Sequence, residues 1–153
     1  MDQIDRRILA ILQTEARIPV TDLAERVGLS ATPCARRIAR MEAAGIIRSY
    51  RARLDPAALG LPLTVFIFVE LEGHAQGTLA AFETAVARFD EVIECHLMTG
   101  TRDVLIKVLA ADLIAFDRFL EDTLLRVPGI RATRTSFSLR QMVSRDALPL
   151  GGD

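Results

Sequence analysis

The sequence predicts an α+β chain in two unlike parts: a helical head over residues 1–54 and a βαββαβ body over residues 63–143. A turn-rich connection at 55–62 joins them, and residues 144–153 read as a loose tail. Three observations carry this division. Apolar side chains in the head recur at helical spacing, whereas from Leu63 onward β-branched and aromatic runs alternate with helical ones. Asp55-Pro56 and Pro62 bracket the connection with turn formers. Charge also divides there. Residues 1–54 hold ten Arg and no Lys against six acids, a balance of +4, and the remainder balances at −5 to give the net −1.

In the head, Asp2 and Asp5 make a capping-box-like start for a helix over 2–13 that carries Ile4, Ile8, Ile11 and Leu12 on one face. Val20–Ala44 then reads as two short helices around a tight turn. The first carries Leu23, Ala24 and Val27, Gly28 stands where the helix end wants positive φ, and Ser30 caps the second helix with Pro33 in its first turn. On a helical wheel Cys34, Ile38 and Met41 fall on one side, with Pro33, Arg36, Arg37 and Arg40 on another. Ala43-Ala44-Gly45 stops this helix, and Ile46–Leu54 reads as an extended pair or wing.

In the body, Leu63–Glu72 is a strand, 76–89 a helix with Leu79, Phe82, Val86 and Phe89 on one face, and Val92–Thr99 and Asp103–Ala110 are strands joined by Gly100-Thr101-Arg102. A helix over 112–127 is capped by Asp112, places Leu113, Phe116, Leu120, Leu124 and Val127 in a narrow arc, and ends at Pro128-Gly129. Ile130–Val143 is the last strand. The order β-α-β-β-α-β is the split βαβ, or ferredoxin-like, arrangement. The first strand is apolar on both faces, with Phe66 and Phe68 opposite Leu63, Val65, Ile67, Val69 and Leu71. Two helices cover only one of those faces, so the other predicts a C2 dimer packed sheet against sheet. Ile114 and Leu125 lie off the main helical arc and point to further assembly.

Composition excludes several classes. Half of the residues are hydrophobic and a quarter charged, which fits a packed core rather than disorder. No apolar run long enough for a signal peptide follows MDQIDRR, and Leu61–Val69 is far too short for a membrane span of roughly 18–20 residues, so neither a signal peptide nor a membrane segment is expected. The two cysteines, Cys34 and Cys95, match neither a disulfide framework nor a zinc pattern and read as buried small side chains in a reducing cytoplasm. The two histidines, His74 and His96, form no metal cluster with them; Cys95 and His96 are adjacent on a strand and point to opposite faces.

The arginine-faced helix is what an element lying in a DNA major groove requires, with guanidinium forks toward guanine edges or phosphates and apolar contacts on its back. A solvated Arg-rich surface helix gives the same wheel. Ala24 at a close crossing, Gly28 in the turn and the absence of an acid within the stripe favour DNA. Ser30, Thr32, Pro33, Arg36, Arg37 and Arg40 are the candidate contacts, and Arg48, Arg51 and Arg53 either reach phosphates or are surface arginines. Guanidiniums found in intramolecular ion pairs would count against this assignment.

With these pieces in order, the chain resembles the Lrp/AsnC, or feast/famine, family of transcription regulators. The resemblance rests on Ile4-Asp5-Arg6-Arg7-Ile8-Leu9, on Val27–Arg37, on Met41–Ile47, on Glu94–Asp103 and on Thr123–Ile130. It implies a winged helix-turn-helix domain joined to a RAM- or ACT-like αβ-sandwich that dimerises, builds octamers or similar rings, and binds a small amino-acid effector between dimers. It implies double-stranded DNA as partner, a cytoplasmic, nucleoid-associated location, and neither cofactor nor metal. Carried over, the effector site comprises Leu97, Met98, Thr99, Gly100, Thr101, Arg102 and Asp103, with Thr133 and Thr135 nearby. Gly100 would leave backbone N–H groups for a carboxylate and Asp103 would accept an ammonium; the same two residues also suit a plain hairpin turn. Val104 stands where many members have an aromatic. Siroheme decarboxylases resemble the same architecture and supply the enzymatic alternative.

Overall fold

The computed structural model describes residues 1–73, 76–100 and 102–150. His74 and Thr101, singled out above, lie outside the described residues. The chain forms two compact units, one from Met1–Arg53 with the chain's end from Met142, the other from Leu54–Gln141.

The first unit holds α1 (Gln3–Leu12), α2 (Val20–Val27) and α3 (Ala31–Ala43). Asp2 and Asp5 form a reciprocal capping box at the start of α1. Gly28 ends α2 in the left-handed region at φ +74°, where its N–H bonds back into the helix. The core is Ile8, Leu9, Leu23, Ala24, Val27, Cys34 and Met41, all buried. Ala24 is closed to solvent as a close crossing requires, and Ser30 occupies the cap position of α3 without a side-chain cap bond.

Two expectations for this unit change. Residues 46–54 form no strand, so the wing is not a β-ribbon: strands need partners, and none among the described residues pairs with this segment. The tail is not loose. Gln13 exchanges two hydrogen bonds with the backbone of Leu148, Arg6 donates to the Leu150 carbonyl, Arg53 pairs with Asp146 at 2.9 Å, and Leu150 packs on the core.

The second unit is a four-stranded antiparallel sheet in the order β2-β3-β1-β4, with β1 (Leu63–Leu71), β2 (Val92–Leu97), β3 (Val104–Ala110) and β4 (Ile130–Phe137). Helices α4 (Gln76–Val86) and α5 (Leu113–Asp122) contribute Phe82, Val86, Phe116 and Phe119 to one core with the inward faces of β1 and β3. The period-two pattern of β1 is realised: Val65, Ile67 and Val69 are fully buried, and Phe66 and Phe68 are half-buried on the opposite face. The βαββαβ order therefore stands. Some ends differ. The second helix breaks after Asp122 into a 3-10 turn, Leu124–Arg126, and β4 ends at Phe137, with one further bond from the Ser138 N–H to the Thr64 carbonyl at 3.0 Å. Leu113, placed on the apolar arc, is 60% exposed, while Phe119 fills the core position that the arc left out. Cys95, expected to be buried, is exposed because β2 is an edge strand.

Candidate functional sites

Helix α3 is held by its back. Cys34 and Met41 sink into the core of the first unit and Ile38 packs beside them, which turns Thr32, Ala35, Arg36, Ala39 and Arg40 outward. Ser30 and Thr32 are exposed at its N-terminal end, Pro33 is half-buried, and Arg36 is exposed with no ion pair among the described residues. These form one continuous surface.

Arg37 and Arg40 behave differently from the expectation of a bare arginine row. Arg37 Nη1 lies 2.6 Å from Asp2 Oδ2 and 2.8 Å from Asp5 Oδ1; Arg40 Nη2 reaches both oxygens of Asp5, the nearer at 2.9 Å. The acids that interrupt the stripe come from α1, not from α3 itself, so inspection of α3 alone could not reveal them. Asp5 is 1% exposed, the single buried charged residue among those described. A buried carboxylate is tolerated only when its charge is matched and its oxygens are hydrogen-bonded, and the two guanidiniums with the Asp2 N–H do both. Burial alone would raise the Asp5 pKa; the hydrogen bonds from Arg37 and Asp2 and the charge of Arg40 outweigh it and hold the group below the ordinary aspartate value. Asp2 is lowered chiefly by the Asp5 N–H and then by Arg37, and Arg37 is raised in return by Asp2 and Asp5. A sequence signal existed. Asp5 stands three, four and seven residues before Ile8, Leu9 and Leu12, on the buried stripe, where an acid must find a cation.

Beyond α3, Arg48 and Arg51 are exposed and form no ion pair among the described residues. Arg53 is engaged by Ser144 and Asp146 and is a docking point for the chain's end rather than an open cation. Tyr50 donates to Glu42 at 2.9 Å, fixing this segment to the end of α3; burial and then that carboxylate push the phenol pKa up to about 12.

The β2–β3 hairpin forms the other candidate site. The Met98 N–H donates to the Asp103 carbonyl at 2.8 Å, which closes the loop, and Gly100 adopts φ +120°, a conformation that favours glycine. Leu97 and Met98 are 65% and 40% exposed. The Asp103 carboxylate accepts from the Leu71 N–H at 2.7 Å and its own N–H donates to Val69, so it ties the hairpin to β1. Arg102 lies over the Phe68 ring at 4.5 Å, on the sheet face that the helices leave uncovered. Thr133 and Thr135 pair with Val69 and Ile67 on β4, so within one chain β1 separates them from β3 and the hairpin, about 10 Å at two strand spacings. On the uncovered face, His96 lies 3.4 Å from Glu94, which also pairs with Lys107 at 2.8 Å. His96 is thus held in a surface charge cluster, and no group of His, Cys, Asp and Glu among the described residues fits a metal ion.

Residues 1–42 match the AsnC-type helix-turn-helix domain and residues 64–148 match the Lrp/AsnC ligand binding domain. The chain belongs to the Lrp/AsnC family. The leucine-responsive regulatory protein of Escherichia coli is 40% identical over 148 residues, covering 97% of this chain and 90% of that protein. A solved AsnC family transcriptional regulator from Agrobacterium tumefaciens aligns with a TM-score of 0.93 at 39% identity, covering 98% of this chain and 97% of that one. A transcriptional regulator of Neisseria meningitidis, solved as its L-Met complex, aligns at 0.92 with 37% identity and the same coverages. This Lrp/AsnC protein is therefore a transcriptional regulator with a helix-turn-helix DNA-binding domain and a ligand-binding body. Its relatives are named as regulators, and nothing supports the siroheme decarboxylase alternative. Pairing of Arg37 and Arg40 removes the arginine row as the carrier of that conclusion; family membership carries it instead. No helix among the described residues is long and apolar enough to cross a membrane.

Proposed function

We propose that this Lrp/AsnC regulator reads double-stranded DNA through the exposed N-terminal half of α3, with an amino-acid effector at the β2–β3 hairpin adjusting its assembly. The observation that carries the first part is the continuous open surface of Ser30, Thr32 and Arg36, backed by the buried Cys34 and Met41. Arg36 is the guanidinium available for a base edge or phosphate, Pro33 shapes the first turn, and Arg48 and Arg51 contact the flanking backbone. Arg37 and Arg40 orient the helix. Arg36→Ala is expected to weaken binding to a duplex selected from a random pool by ~1–3 kcal/mol if it reads a guanine, with the fold intact. A fluorescence anisotropy titration unchanged by that substitution overturns the assignment.

The half-buried Phe66 and Phe68, flanked by Leu105 and Leu109, give the uncovered sheet face an apolar centre suited to a second copy, which supports a C2 dimer; an octamer or similar ring of such dimers is the assembly proposed. Phe68→Glu is expected to shift the sedimentation mass toward monomer. The effector is a small amino acid, a reading supported by the L-Met complex of the Neisseria relative. Leu97, Met98, Thr99, Gly100, Arg102 and Asp103 line its site, and Thr133 and Thr135 belong to it only where a neighbouring chain brings them close; Thr101, also named from the sequence, lies outside the described residues. Effector binding shifts assembly through its differential affinity for the two states. A thermal-shift screen of the twenty amino acids tests this, since a ligand bound at a hundred times its Kd stabilises by about 2.7 kcal/mol. The protein acts where the chromosome is, in the cytoplasm at the nucleoid.

A further inference from the structure

We infer that Asp5 is a specificity-determining positioning residue: together with Asp2 it cancels the charge of two guanidiniums on α3, so that attraction to any phosphate is held down while contacts by the open half of the helix decide which sequence is bound. The inference rests on α3 being the DNA-facing helix. Its ground is the geometry of the clamp. Two carboxylates at the start of α1, Asp2 and Asp5, meet two guanidiniums one helical turn apart on α3, Arg37 and Arg40, in a cluster with no formal net charge. Asp5 is buried, bonded to both guanidiniums and to the Asp2 N–H, and so placed that it cannot turn away without leaving all of them. Arg40 remains 63% exposed along its side chain, on the surface that a duplex would approach. Only the carboxylate beneath keeps it from acting as a full cation toward phosphate. Arg36, one position before Arg37, is exposed and has no acid within reach among the described residues. One helix thus carries an uncompensated guanidinium beside two compensated ones.

Sequence-independent affinity for DNA scales with the number of phosphates neutralised, whereas discrimination between sequences comes from base contacts and fixed register. An acid that neutralises part of a basic helix and locks its orientation therefore lowers the first and protects the second. Asp5→Asn tests this, because the side chain keeps its size and can still bond at the capping position while the charge is lost. Binding is measured against salt for the full chain, on a random-sequence 30-bp duplex and on a duplex selected by the wild-type protein from a random pool. In Asp5→Asn, affinity for the random duplex should rise about three- to tenfold at 0.15 M salt and the salt slope should steepen by about 1, the increment of one added phosphate contact. The ratio of selected to random affinity should fall. Asp2→Asn, at an exposed carboxylate whose amide replacement can still cap α1, should move the slope in the same direction by less, and it carries the test if Asp5→Asn fails to fold. Loosening of the helix alone would weaken binding to both duplexes without steepening either slope, and that result overturns the inference. Arg36→Ala separates the two levels. An affinity or slope reduced in Arg36→Ala with the slope unchanged in both aspartate variants refutes the role of Asp5 alone, whereas an affinity and a slope both unaffected by Arg36→Ala refute the DNA-facing assignment of α3.

Discussion

A methyl group at position 129 measures how tightly the body closes. Gly129 sits at φ +88° between the 3-10 turn and β4, and a Cβ there would lie 2.8 Å from Thr78 Cγ2 near the start of α4. Its carbonyl accepts from the Glu72 N–H at 2.7 Å, which pins the end of β1 to the start of β4 and leaves the turn little room to retreat. A left-handed conformation costs an L-residue about 1–2 kcal/mol. Relieving the contact with Thr78 adds about 1–2 kcal/mol, within the range for overpacking. Gly129→Ala should therefore destabilise the body by about 2–4 kcal/mol and lower its Tm by roughly 10–25 °C. Thr78→Ser removes the offending methyl, so in the double variant the steric part returns and the conformational part remains. Urea unfolding of the four proteins, read by far-UV circular dichroism, should give a coupling energy of about 1–2 kcal/mol. Gly129→Ala within about 0.5 kcal/mol of the parent would refute both parts, and an additive double variant would refute the contact with Thr78.

Three further outcomes follow from the first unit. Arg37→Ala should lower the melting temperature of the head, because it strips one of two guanidiniums from the buried Asp5, whereas Arg36→Ala should leave it unchanged; equal melting by differential scanning fluorimetry would deny Arg37 its supporting role. Ending the chain after Arg145 removes the Gln13 and Arg6 bonds and the packing of Leu150, and should cost the head about 1–2 kcal/mol, seen as faster hydrogen exchange in α1. Unchanged exchange would mean the docked tail contributes nothing. In acid the sign is fixed by the lowered pKa of Asp5: its stabilisation is complete above the ordinary aspartate value of about 3.9 and is lost as pH falls through the lower folded value. The head should hold its stability from pH 7 to about pH 5 and weaken below about pH 4, and Asp5→Asn should flatten that acid limb. A limb as steep in the variant as in the parent would assign it to other carboxylates.

What was legible in the sequence was local or periodic. The capping box at Asp2 and Asp5, the cap at Asp112, the left-handed Gly28 and the alternation of β1 each depend on neighbours within a few residues, and each is present. From these the two-part architecture and the order of the sheet follow. Features that need a distant partner were not legible. Residues 46–54 have strand-like composition, but whether they pair depends on what lies alongside. The last ten residues carry no regular pattern, so a segment held by main-chain bonds to Gln13 and Arg6 looks the same in sequence as a free one. For the hairpin, the turn at Gly100 was legible and the anchoring of Asp103 to Leu71 was not, because that bond joins residues 32 positions apart.

The arginine row shows why a helical wheel sorts faces correctly and still misses the partners that other elements bring to them. A wheel places side chains about one axis; the charge that reaches solvent depends also on what the neighbouring helix presents. Residues 1–54 hold ten arginines, but Arg37 and Arg40 are matched by α1, Arg26 by Glu15 at 2.6 Å and Arg53 by Asp146. In the stretch from Met1 to Arg53, Arg6, Arg7, Arg17, Arg36, Arg48 and Arg51 remain exposed without an ion pair among the described residues, Arg6 being bonded to the Leu150 carbonyl. Two of these, Arg48 and Arg51, follow α3 in the chain, and Arg36 is the one on α3 itself. A phosphate backbone therefore meets a basic surface thinner than the composition advertises. A thinner field binds random DNA less tightly and leaves more of the free energy of binding to contacts that depend on sequence. The same buried carboxylate that stabilises the junction of α1 and α3 is what thins the field, so the packing of this head and the charge that α3 presents share one cluster, Asp2 and Asp5 with Arg37 and Arg40.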